Sequence, residues 1–183
     1  GGGGGGGGGE EVHEFTLKIR PDEFTRFTDE KAHFQWFHFR ASGVRGARCR
    51  FVIANAGDAS YPEGWADYRA VASYDREDWW RVASTTYAEG QLTWELTPER
   101  DSVWFAYFAP YSWERHERFV AEASEPGSLA THSVIGETLE GRPLDMLTFG
   151  DGPLNLWAMA RQHPGESMAE WCAEGLARFL GDA

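Results

Sequence analysis

Between Glu14 and Ala109 short runs recur in which apolar residues alternate with polar ones at period two, which points the first half of the chain to pleated, half-buried strands. Phe15, Leu17 and Ile19 alternate with Thr16 and Lys18, and Phe37 and Phe39 with Trp36, His38 and Arg40. Cys49, Phe51 and Ile53 follow among Arg48 and Arg50, then Leu92, Trp94 and Leu96, then Val103, Phe105 and Tyr107. Turn formers separate these runs at Ser42-Gly43, Asn55-Ala56-Gly57-Asp58, Glu89-Gly90 and Thr97-Pro98-Glu99. Several short strands at such spacing predict an antiparallel β-sandwich or a flattened barrel. Nine Trp, 12 Phe and 6 Tyr supply the bulk that a two-layer core needs. There is no internal repeat.

The texture changes at Pro110-Tyr111-Ser112, where the domain boundary is expected. Ser112 can cap a helix ending near Ala123, with Trp113, His116, Phe119 and Val120 on one side. Ser124 to Ser128 reads as a loop. Thr131 to Ile135, Leu144 to Phe149 after the Gly141-Arg142-Pro143 turn, and Leu154 to Gln162 read as three sheet strands, the last central and buried. The chain therefore reads as α+β and multi-domain: a glycine tail (1–9), a β-sandwich (10–111) and a second unit of helices and sheet strands (112–183).

The chemistry concentrates at the end of that last run. Pro164-Gly165 breaks the strand, and a helix is predicted from Glu166 to Phe179, with Met168, Trp171, Cys172 and Leu176 at helical spacing and Gly181 as a stop. His163 then stands at a strand end and Glu166 at a helix mouth, the edge where open α/β sheets place ligands. A tight turn between them can aim an imidazole and a carboxylate at one ion, and zinc accepts both. The same spacing also describes a plain helix N-terminus, with Glu166 favouring the helix dipole and His163 an ordinary strand-end residue.

The longer string Ala160-Arg161-Gln162-His163-Pro164-Gly165-Glu166-Ser167-Met168-Ala169-Glu170-Trp171 resembles the first metal-ligand motif of the zinc metallocarboxypeptidases, in particular their cytosolic-carboxypeptidase branch of bacterial type. Tyr61-Pro62-Glu63-Gly64-Trp65, the run Tyr68 to Arg76, and Phe108-Ala109-Pro110-Tyr111-Ser112 resemble the β-rich amino-terminal domain of that branch. The resemblance implies a hydrolase in which His163 and Glu166 are two of three Zn2+ ligands, acting on peptide or protein C-terminal tails, some of them acidic. It further implies that 112–183 is the incomplete start of an α/β/α mixed-sheet zinc carboxypeptidase domain, and that the third ligand, the general base and the carboxylate-binding residues lie beyond Ala183. No catalytic residue is therefore assigned in this chain, and a chain ending there is expected to be inactive alone. Digestive carboxypeptidases have Arg where Gly165 stands, so that substrate contact does not carry over. A zinc amidohydrolase or deacylase on the same fold, and a β-sandwich binding module without activity, are the other function classes.

A net charge of -12 argues against nucleic acid or an anionic membrane surface as partner. Cys49 and Cys172, in a strand pattern and on an apolar helix face, are expected to be buried and unbridged, which fits a reducing, cytoplasmic compartment. The other histidines read blandly: His33 and His38 as packed or surface imidazoles, and His116 as part of a solvated or salt-bridged face. His13 and His132 have no partner at metal-ligand spacing.

Overall fold

The structure is a computed structural model that describes residues 11–22 and 33–181; the glycine tail at 1–9 lies outside the described residues. It divides into two compact units, Gly1–Ala109 and Pro110–Ala183.

The described residues of the first unit form two four-stranded sheets. One orders β1 (Val12–Leu17), β3 (Arg48–Ile53), β7 (Gln91–Leu96) and β6 (Thr86–Ala88). The other orders β2 (His38–Ser42), β8 (Ser102–Ala106), β4 (Val71–Ser73) and β5 (Trp80–Arg81). The alternation works as expected: Cys49, Phe51 and Ile53 of β3 point inward while Arg48 and Arg50 stay in water. Phe51 and Trp94 from one sheet meet Phe39 and Phe105 from the other, with the Phe51–Phe105 centroids 4.6 Å apart. Among the described residues all the unit's pairings are antiparallel except one. Strand β1 runs parallel to β3 in the register Val12↔Arg48 to Leu17↔Ile53, because the chain crosses to the other sheet through β2 before returning.

The connections explain the motifs between strands. Pro62 opens a 3-10 turn over Pro62–Trp65 that buries Trp65, whose indole N–H donates to the Ala56 carbonyl at 2.8 Å. Trp65 stands edge-on to Tyr68 and Tyr107. The acidic string after Tyr74 is a surface turn, in which the Asp75 carboxylate accepts from the backbone N–H groups of Glu77 and Asp78, both at 2.9 Å. Between two other turns Gly57 donates its N–H to the Gly90 carbonyl at 2.7 Å. The backbones approach so closely that a Cβ on Gly57 would stand 2.8 Å from the Gly90 Cα.

The second unit contains α1 (Trp113–Ala123), β9 (Ala130–Glu137), β10 (Pro143–Phe149) and α2 (Ser167–Gly181). Ser112 caps α1 by accepting from the Arg115 N–H at 3.2 Å. Strands β9 and β10 form an antiparallel ladder, bulged between Leu144 and Asp145. A third strand at 154–162 is not formed. That segment has no ladder partner among the described residues, since β9 and β10 pair only with each other, and Leu154, Leu156, Trp157 and Met159 stand in solvent. Its apolar run satisfies half of what a central strand requires; the neighbours that would hydrogen-bond both its edges supply the rest. Cys172 is likewise exposed rather than buried, on a helix whose outer apolar residues Met168, Leu176 and Phe179 are uncovered, while Cys49 is buried; both are free. Among the described residues no helix is long and apolar enough to cross a membrane.

Candidate metal centre

The turn between the extended segment and α2 is shaped by its own backbone. Arg161 adopts φ +60°, in the left-handed region that costs a non-glycine residue about 1 kcal/mol or more. The chain then folds back, with the Glu166 N–H donating to the His163 carbonyl at 3.1 Å and the Ala169 N–H to the Glu166 carbonyl at 3.0 Å. This brings together the two side chains singled out in the sequence: His163 Nδ1 lies 3.1 Å from Glu166 Oε1. Both are open to solvent, with 78% and 50% of their side chains exposed.

Behind the turn lies a charged chain that sequence spacing did not reveal. The Arg161 guanidinium donates to the Pro164 carbonyl at 2.9 Å, to the Tyr111 carbonyl at 3.3 Å and to Glu170 Oε2 at 2.7 Å. The other Glu170 oxygen faces His116 Nδ1 at 3.0 Å. His116 Nε2 faces Asp145 Oδ2 at 2.8 Å, and Asp145 Oδ1 faces His132 Nε2 at 2.7 Å. The bulge before Asp145 re-aims its carboxylate, only 8% exposed, between the two imidazoles. Trp113 stacks on the His116 ring, centroids 5.0 Å apart. Glu170 raises the His116 pKa above its usual 6.5, burial opposes this, and Asp145 adds to the rise. Burial alone would raise Asp145, but the two imidazoles outweigh it and hold its carboxyl low.

A second cluster fastens α2 to α1. Glu174, 7% exposed at its side chain, accepts from the Tyr111 hydroxyl at 2.8 Å, from Arg115 at 3.0 and 3.1 Å, and from Arg178 at 2.9 Å. The Arg115 guanidinium sits 3.9 Å above the Trp171 ring centre, which holds its fork towards Glu174. Burial pushes the Tyr111 phenol up, and the Glu174 carboxylate pushes it further.

The sequence profile of the "Cytosolic carboxypeptidase N-terminal domain" matches residues 6–108. The chain belongs to the cytosolic carboxypeptidase family. Cytosolic carboxypeptidase 2 of Danio rerio is 25% identical over 202 residues, covering 92% of this chain and 27% of that protein. An uncharacterized protein of Zymomonas mobilis is 44% identical over 149 residues, covering 81% of this chain and 39% of that protein. Among solved structures, a metallo-carboxypeptidase from Burkholderia cenocepacia superposes with TM-score 0.78 at 44% identity, covering 91% of this chain and 43% of that one. A metallo-carboxypeptidase from Pseudomonas aeruginosa, solved with (2-guanidinoethylmercapto)succinic acid, gives TM-score 0.80 at 40% identity, over 94% and 45% of the two chains. This member of the cytosolic carboxypeptidase family thus spans less than half the length of each of these relatives.

Metallo-carboxypeptidase relatives imply a metal. Neighbouring ligand atoms on a tetrahedral zinc with bonds of roughly 2.0–2.1 Å stand about 3.3 Å apart. The 3.1 Å between His163 Nδ1 and Glu166 Oε1 is close to that, and the donor types suit the ion. Among the described residues no group of three or more His, Cys, Asp or Glu is arranged to hold a metal.

Proposed function

We propose that this chain is the amino-terminal part of a zinc-dependent carboxypeptidase that releases C-terminal residues from peptides or protein tails in the cytoplasm. Residues 10–111 form its β-sandwich domain, and 112–183 begin its catalytic domain. His163 and Glu166 supply two of the three protein ligands. The observation that carries the reading is their convergence at 3.1 Å on an exposed turn, with both donor atoms facing each other. Zinc bound there would polarise a scissile carbonyl and lower the pKa of a bound water. His163 offers an imidazole nitrogen and Glu166 a carboxylate oxygen, both donor types that zinc accepts. The Arg161 guanidinium holds the Pro164 carbonyl between them, so the pair is set before an ion arrives. The third ligand, the general base and the groups that hold the substrate carboxylate come from the part of the enzyme following Ala183. Acting alone, residues 1–183 bind zinc weakly and cleave nothing, since a general base by itself is worth roughly a hundred- to ten-thousandfold in rate.

The test compares the 183-residue chain with the full-length enzyme, measuring metal content and release of the last residue from acidic-tailed and neutral-tailed peptides. Chelator-sensitive release by the full-length enzyme, lost together with its zinc in His163→Ala and Glu166→Ala, is expected. Full activity of the 183-residue chain, or release of acyl groups in place of amino acids, would refute the reading.

A further inference from the structure

His116 lies between two carboxylates from different elements, Glu170 on α2 at its Nδ1 and Asp145 on β10 at its Nε2. A carboxylate oxygen only accepts, so both nitrogens must donate, and only the imidazolium carries two N–H groups. Beyond Asp145 stands His132 on β9, and beyond Glu170 stands Arg161 at the turn. Trp113 on the helix of His116 covers its ring, and Arg142 lies 5.2 Å over the Trp113 ring centre. The charges run in alternation from the bulged strand to the turn, and the last group donates to the carbonyl between His163 and Glu166.

We propose that Arg161 is a positioning residue for the His163–Glu166 pair, held in place by Glu170 and a doubly protonated His116. This rests on the metal role proposed for that pair. Glu170 anchors one edge of the guanidinium, so the other reaches Pro164 while the backbone of Arg161 stays in its unfavourable left-handed conformation. Loss of the His116 proton would turn a lone pair towards one of its carboxylates and release it. If Glu170 is the one released, the guanidinium loses its orientation and the ligand spacing loosens. The sign follows: the clamp is intact below the raised His116 value and weakens as pH rises through it.

The experiment uses the 183-residue chain, with two readouts. Zinc affinity at pH 7 is measured by competition with a chromophoric chelator for wild type, Arg161→Ala, Arg161→Lys, Glu170→Gln and His163→Ala. Substitutions behind a metal ligand typically cost about 10–100-fold in affinity, and that loss is expected for Arg161→Ala and Glu170→Gln. Arg161→Lys keeps the pair with Glu170 but cannot fork to Pro164, and should fall between Arg161→Ala and wild type. Ring-nitrogen NMR of the metal-free chain gives the second readout. Both His116 nitrogens should be protonated at pH 7, and the His163 ring resonances should shift in step with loss of the His116 proton. In Glu170→Gln that coupling should vanish. A singly protonated His116 at pH 7, or Arg161→Ala binding zinc within threefold of wild type with α2 still helical, would overturn the proposal. Zinc affinity unchanged by His163→Ala would instead sink the metal reading, while the NMR coupling still decides the link from His116 to the turn.

Discussion

Glu174→Gln keeps the shape of a buried side chain and removes its charge, in a cluster where three donors converge on one carboxylate. The Arg178 contact is half exposed, at 51%, and is worth at most about 1 kcal/mol. The Arg115 contact is different: its side chain is 20% exposed and Glu174 only 7%, and removing one partner of a buried pair costs about 3–5 kcal/mol. The fifth of Arg115 that water reaches places the loss at the low end, about 3 kcal/mol. At about 1.4 kcal/mol per decade this is roughly a hundredfold. Hydrogen exchange read by peptide should therefore show about hundredfold lower protection across Trp113–Ala123 and Ser167–Gly181, with Arg48–Ile53 and Gln91–Leu96 unchanged. The deficit also depends on pH. Burial alone would raise Glu174, but Arg115, Tyr111 and Arg178 outweigh it and hold its folded value below the ordinary 4.5. A depressed carboxylate stabilises fully above its unfolded value and loses that contribution as pH falls through the folded one. The difference between wild type and variant should thus be complete at pH 7 and fade in acid below about pH 4. A change under threefold in the two helices, or one that persists undiminished at pH 2, would refute the assignment of Glu174 as the fastening between them.

Other perturbations probe the sandwich. Phe51→Ala removes a fully buried ring packed against Phe39, Trp94 and Phe105 and should cost about 4 kcal/mol, lowering the urea midpoint of the first unit by about 2 M as followed by circular dichroism. Gly57→Ala puts a Cβ 2.8 Å from the Gly90 backbone; the overpacking cost of about 1–3 kcal/mol exceeds the gain of about 0.4–1 kcal/mol from a stiffer unfolded chain, so the melting temperature should drop.

The sandwich was legible because its signal is local: period-two alternation places Phe51, Trp94 and Phe105 inward whatever the topology. The parallel pairing of β1 with β3 was not, since alternation records which face is buried and leaves strand direction open. Strand propensity at 154–162 was read correctly as apolar and wrongly as paired, because pairing depends on other segments of chain. In the candidate site, the Pro-Gly break after His163 and the helix start after Glu166 are written within a few residues, and the two side chains do converge. The chain of charges behind them joins residues 54, 29 and 13 positions apart from four elements, and no short spacing encodes it. His116 falls within the salt-bridged reading given to its helix face; for His132 the bulge at Asp145 supplies a partner that no sequence pattern announces.

The uncovered run from Leu154 to Ala160, with side chains such as Leu156 at 97% exposure, has a consequence for handling the protein. Leu-Asn-Leu-Trp-Ala-Met-Ala is seven residues without charge, proline or glycine, the composition from which intermolecular cross-β ladders nucleate. Pro153 on one side and Arg161 on the other limit how far such a ladder can spread, in the manner of gatekeepers. A polypeptide that leaves this run bare is therefore expected to self-associate through it. A lysine at Leu156 or Met159 is expected to lower that self-association, read by light scattering, without touching His163 or Glu166.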